Sequence, residues 1–178
     1  MNQNELRDIV DENDNVIGQD YTWDIKTKGI RHRSVQIWIV NSKGELLLQK
    51  RSKNKRVCPS TWESAASGGV DAGESYGRAA QRELEEETGI KTRLKKLGKE
   101  YIEFDYGKDI HNKEFTGLFL GFYDGEYFAK EDELEELKLF TVEEIEKMLK
   151  EDEDQFTFPF VFLFRKYRQH LNTLSRTR

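Results

Sequence analysis

The sequence predicts an α/β fold in which a mixed β-sheet is covered by helices. Three observations carry this expectation. Short runs of apolar residues alternate with polar ones at the period of a strand. One stretch is bounded by a serine and a glycine, a later one carries a capping box, and a last one follows a proline. These two kinds of segment interleave along 178 residues, a length that favours one domain over residues 1–178.

The elements follow in order. Residues 6–18 read as a small hairpin, with Asp11 to Asn15 as its turn, so residues 1–30 are expected to form an N-terminal hairpin extension. Residues 34–51 read as a stronger hairpin. Val35, Ile37 and Ile39 alternate with Gln36, Trp38 and Val40, Asn41-Ser42-Lys43-Gly44 turns the chain, and Leu46, Leu47 and Leu48 resume extension. Residues 52–73 are rich in Ser, Gly, Asn and Lys and read as a long loop with a short strand near Trp62. A helix is expected from Glu74 or Ser75 to Thr88, stopped by Gly89. Strands are expected over 94–106 and 114–123, with a turn at Gly107 to Asn112. Thr141 and Glu144 form the signature of a capping box at the start of another helix. A last helix is expected after Pro159, reaching Leu171. Phe156, Phe158, Phe160, Phe162 and Phe164 recur at period two, which conflicts with that last helix.

Composition excludes several functions. Twenty-nine Lys and Arg against 34 Asp and Glu give a net charge of −5, so no basic face for a nucleic-acid polymer is expected. The polar start Met1-Asn2-Gln3-Asn4-Glu5 lacks a signal core, and no run is long and apolar enough to span a membrane. The single cysteine, Cys58, allows no internal disulfide and reads as a packed thiol. A soluble cytoplasmic protein is the expectation, as a monomer or a homodimer. The acidic runs from Glu131 to Glu136 and from Glu143 to Glu146 read as solvated faces.

The informative stretch is Gly68 to Ile90. On a helix, Glu83, Glu86 and Glu87 stand at i, i+3 and i+4 and share one face. Three like charges there repel each other and cost helix stability, unless a divalent cation sits among them. Mg²⁺ or Mn²⁺ suits such oxygen ligands. The glycines Gly68, Gly69 and Gly73 bracket a loop that feeds the helix, where backbone can approach a ligand closely.

Gly68, five residues, Glu74, seven residues, then Arg82-Glu83-Leu84-x-Glu86-Glu87-x-Gly89-Ile90 resembles the Nudix box at every specified position. The resemblance implies an α/β/α sandwich and metal-dependent hydrolysis of a diphosphate linkage in a small molecule, such as a nucleoside diphosphate derivative. It implies that Glu83, Glu86 and Glu87 hold Mg²⁺ or Mn²⁺ together with a backbone carbonyl at Ser67 or Gly68. Arg82 would orient the glutamates and Glu74 would support them. The general base in this family commonly lies outside the box, and Glu136 and Glu114 are the two candidates.

Upstream, Ile9-Val10-Asp11-Glu12, Val16-Ile17-Gly18, Arg31-His32-Arg33-Ser34-Val35, Leu47-Leu48-Gln49-Lys50-Arg51, Pro59 and Trp62 resemble the isopentenyl-diphosphate isomerase-like branch. That likeness implies diphosphate contacts from Arg51 and Lys55, with Gly68 and Gly69 beside the substrate and Arg31, Arg33, Lys50 and Lys53 near enough to assist. It does not imply isomerase chemistry, because the positions that carry its cysteine and histidine hold Ser67 and Gly69. His32 reads as a structural histidine. Trp23, Trp38, Trp62, Phe104 and Tyr106 read as core material before stacking platforms. Isomerisation and ligand binding without catalysis remain the alternatives.

Overall fold

The computed structural model describes residues 5–130 and 133–174. The polar start 1–4, together with Glu131 and Asp132 of the acidic run, lies outside the described residues. The elements are β1 (Leu6–Val10), β2 (Val16–Tyr21), α1 (Thr22–Lys28), β3 (Arg31–Val40), β4 (Leu46–Arg51), β5 (Trp62–Ser64), β6 (Ala66–Gly69), α2 (Tyr76–Thr88), β7 (Lys95–Tyr106), β8 (Ile110–Phe122), β9 (Leu134–Phe140), α3 (Val142–Glu151), α4 (Phe158–Tyr167) and α5 (Gln169–Leu174). Strands β1 and β2 form their own two-stranded sheet. The main sheet has seven strands, with β5-β4-β3-β8-β7 in line, β6 on β3 and β9 on β4. Strands β3 and β8 run parallel and the other pairs antiparallel, so the sheet is mixed as expected.

Alternation along β3 builds the sandwich. Val35, Ile37 and Ile39 pack on one face with Ala79, Ala80 and Leu84 of α2. Trp38 and Val40 pack on the other with Ile145 of α3 and Phe160, Leu163 and Phe164 of α4. Each fully buried large aliphatic side chain contributes about 1.5–3 kcal/mol. Strand β3 also forks the sheet: Ser34 to Ile37 pair with β6, whereas Ile39 and Val40 pair with β4.

Both hairpin turns rest on side-chain oxygens mimicking backbone. Asp11 Oδ1 accepts from the backbone N–H of Asn13 (2.8 Å) and Asn15 (2.9 Å). Asn41 Oδ1 does the same for Lys43 (3.0 Å) and Glu45 (2.9 Å). The capping box at Thr141 and Glu144 is formed.

Several expectations are corrected. The extension over 1–30 is more than a hairpin, because α1 follows it. The loop 52–73 contains two strands, β5 and β6. The last helix is broken at Arg168 into α4 and α5. The phenylalanine conflict dissolves, because a period of two includes every fourth residue. Phe160 and Phe164 stack one turn apart on α4 with centroids 5.5 Å apart, and Phe156, on the extended segment just before the helix, stacks on Phe160 at 5.4 Å. No described helix is long and apolar enough to cross a membrane.

Candidate active site

Helix α2 is set by its ends. Ser75 caps it by accepting from the Arg78 N–H at 3.4 Å, and Gly89 ends it in the left-handed region at φ 70°. Its apolar stripe of Ala79, Ala80 and Leu84 docks on the sheet, and this aims the glutamate face at the fork beside β6. Glu83 and Glu87 are thereby buried, while the Glu86 side chain keeps 51% of its surface exposed.

Arg82 braces this face. Its Nη1 donates to Glu83 Oε1 at 2.7 Å and its Nη2 to Glu74 Oε2 at 2.9 Å and to the Gly69 carbonyl at 3.0 Å. Glu86 Oε2 lies 3.7 Å from Nη1. Glu87 Oε2 accepts from the Ser67 N–H at 2.9 Å and from Gln49 Nε2 at 3.1 Å. Gln49 Nε2 also donates to Glu63 Oε1 at 2.9 Å, which takes Arg51 Nη1 at 2.7 Å. Gly68 and Gly69 are required by contact, not by φ. A Cβ on Gly68 would stand 2.1 Å from the Glu83 carboxylate, and one on Gly69 would stand 2.4 Å from the Arg7 guanidinium.

Burial pushes the Glu83 carboxyl up to about 7, against the pull of Arg82. Burial also drives Glu87 well above the usual carboxylate range, and the charges of Glu83 and Glu63 add to the shift. These are the marks of crowded anions short of counter-charge. The donor set is all oxygen, which fits a hard divalent cation in charge and type. Among the described residues no three acidic, His or Cys side chains already close on one point. Glu83 Oε1 is held by Arg82 and Glu87 Oε2 by Ser67 and Gln49, so Glu86 supplies the free carboxylate.

The box opens into a cavity of about 350 Å³ that includes Gly68, Gly69, Arg51, Lys55, Glu83, Glu86, Glu87 and Glu114 in its lining. Arg51 and Lys55 reach it, but Arg51 is held by Glu63 and the carbonyls of Val57 and Cys58, and Lys55 by Glu133 at 3.3 Å. Arg31, Arg33, Lys50 and Lys53 are not in the lining. Arg33 instead anchors Asp14 at 2.6 Å.

The two general-base candidates fare differently. Glu136 lies inside β9 opposite Lys50, exposed and outside the cavity. The antiparallel pairing with β4 carries the strand past it. Glu133, three residues earlier, lines the cavity instead. Glu114 lies within β8 and faces the cavity. Its oxygens meet His32 Nε2 at 3.3 Å and Ser34 Oγ at 2.9 Å. Burial acts to raise its pKa, yet His32, Lys26 and the Ser34 hydroxyl bring it down to about 2. His32 Nδ1–H donates to the Ile30 carbonyl at 3.0 Å, so the ring is partnered on both sides.

Trp38 and Trp62 are core residues, as expected; Phe104 packs against the same core and also lines the cavity, as Tyr106 does. Trp23 lies under the Arg56 guanidinium, 3.8 Å from it. Sequence reasoning missed Arg7, Lys26, Gln36, Glu63, Asn112 and Glu133, all of which line the cavity. Gln36 and Asn112 had a legible signal, since polar residues interrupt the inward-facing positions of β3 and β8. Arg7 and Lys26 had none, because their approach depends on how the N-terminal hairpin and α1 fold back.

Comparison with known proteins agrees with this geometry. The NUDIX domain family model matches residues 30–162. The uncharacterized Nudix hydrolase SCO1686 of Streptomyces coelicolor is 45% identical over 85 residues, which span 48% of this chain and 47% of that protein. The isopentenyl-diphosphate Delta-isomerase 2 of Photorhabdus laumondii is 31% identical over 156 residues, 88% of each chain. Among solved structures, DR0079 from Deinococcus radiodurans shares the fold with a TM-score of 0.69 at 22% identity, covering 83% of this chain and 90% of that one. The chain therefore belongs to the Nudix hydrolase family.

Proposed function

We propose that this chain hydrolyses a diphosphate linkage in a small molecule, of the nucleoside diphosphate type, with Mg²⁺ or Mn²⁺ held at Glu83, Glu86 and Glu87. One observation carries the reading: two buried carboxylates on one turn of α2, pushed up by burial and mutual charge, with Arg82 and Glu74 bracing them beside a cavity. A bound divalent cation neutralises diphosphate oxygens and makes water more acidic. The chain's own residues do the rest. Arg82 fixes the position of Glu83, and the Ser67 N–H fixes Glu87. The general base belongs to the box. Glu114 already has its oxygens engaged by His32 and Ser34, which with Lys26 hold its carboxyl below the usual range, so it is poorly placed to take a proton from water. Glu86 faces the cavity with a 3.7 Å ion pair to Arg82, and with one carboxylate oxygen toward the cation its other oxygen is the one placed to accept the water's proton.

Isomerase activity is the second reading, favoured by the likeness to the Photorhabdus isomerase over 88% of each chain. A single screen separates the two. Nucleoside di- and triphosphates, nucleotide sugars, dinucleoside polyphosphates and prenyl diphosphates are incubated with Mg²⁺ or Mn²⁺. Phosphate release that depends on Glu86 and Glu87 supports hydrolysis. Allylic product without phosphate release supports isomerisation and overturns the first reading.

A further inference from the structure

Six cationic side chains of Lys or Arg line the cavity, and five of them are spoken for. Arg7 pairs with Asp71 at 3.0 Å, Arg51 with Glu63 at 2.7 Å, Lys55 with Glu133 at 3.3 Å, Arg82 with Glu74 at 2.9 Å and Lys130 with Glu133 at 2.8 Å. Lys26 differs. Among the described residues no carboxylate lies within 4.0 Å of its ammonium. Helix α1 projects it into the cavity, surrounded by protein atoms, while part of its surface stays open. Four charges act on it from neighbouring elements: Glu114 on β8, Arg51 on β4, Arg7 on β1 and Glu63 on β5. Both acids already hold partners of their own, His32 and Arg51.

An enclosed ammonium without a counter-ion is costly to keep. In a cavity that also bears the glutamate cluster, the opposite charge must come from what enters. We propose that Lys26 is the anion-binding residue of this cavity, and that it receives a phosphate group of the substrate. Lysine suits this task as a point charge able to meet any non-bridging phosphate oxygen. Arg7 and Arg51 add to the positive potential there. Burial lowers the pKa of Lys26, and an entering phosphate reverses that shift by supplying the missing negative charge. The proposal rests on the diphosphate reading for its ligand class only.

The test is binding of imidodiphosphate, whose P–N–P bridge resists hydrolysis, measured by calorimetry in Mg²⁺. Lys26→Met should weaken binding about tenfold or more, and Lys26→Arg should retain most of it. The melting temperature of the free Lys26→Met protein should stay level or rise. Unchanged affinity in Lys26→Met overturns the proposal, and a fall in melting temperature alongside it makes Lys26 structural. If Lys26→Met does not fold, the Cε resonance of Lys26 in the native protein decides. It must move when imidodiphosphate is added, and a stationary resonance overturns the assignment. Lys26-dependent binding without turnover of any diphosphate sinks the hydrolase reading alone. Turnover with Lys26-independent binding sinks this inference alone.

Discussion

Glu86 and Glu87 are adjacent in sequence and differ in surroundings. Glu87 is buried and tied to the Ser67 N–H, whereas Glu86 is half exposed and pairs with Arg82 at 3.7 Å. Glu86→Gln should therefore lower kcat by about a hundredfold or more with little change in stability, as steady-state phosphate release and thermal melting will show. Gly68→Ala places a Cβ 2.1 Å from the Glu83 carboxylate, so it should displace that carboxylate and depress turnover without touching a charge. Glu114 makes a pH prediction. Its carboxyl sits at about 2 in the folded chain against an ordinary value of 4.5. Its ionised form thus stabilises the fold fully above the ordinary value, and the contribution fades as pH falls toward 2. The contribution is on the order of 3 kcal/mol. Urea unfolding from pH 6 to 2.5 should show a steeper acid loss in the native chain than in Glu114→Gln, and parallel curves would contradict the assignment. The box glutamates were legible in the sequence because their spacing puts three charges on one helical face. The roles of Glu136 and Glu114 were not, because strand pairing and burial decide them.

Helix α2 shows how much of an element a sequence can announce. Ser75 and Gly89 mark its ends, and Ala80 and Leu84 mark its packed stripe, so its limits could be read within about two residues. Gly89→Ala forces a left-handed φ of 70° on a residue with a Cβ, which would also stand 2.0 Å from the Phe128 ring. A loss of about 1–3 kcal/mol in unfolding free energy follows, and chemical denaturation will measure it. A loss below a few tenths would mean that the cap is dispensable. Helix α1 escaped notice because its seven residues offer only Trp23 and Ile25 as apolar contacts and no side-chain cap. Strands β5 and β6 were hidden in a polar loop, since their pairing with β4 and β3 is long-range and leaves no periodic trace in three or four residues.

At the scale of the whole chain, the net charge of −5 and a phosphate-bearing substrate repel each other unless charge is arranged locally. The fold arranges it by forking the sheet at β3. The fork brings the glutamates of α2, Arg51 of β4 and the N-terminal residues Arg7 and Lys26 to one cavity. Alternation along the strands announced the sandwich, but the convergence of chain positions 7, 26, 51, 83 and 114 on one space is tertiary and was not visible in any local pattern. The central claim is that the buried acids of α2 grip a divalent ion. Calorimetric titration of Mn²⁺ into the native chain and into Glu87→Gln tests it most directly. The account predicts saturable uptake by the native chain that weakens about tenfold or more in the variant. Equal uptake by both proteins, or none by either, would contradict it.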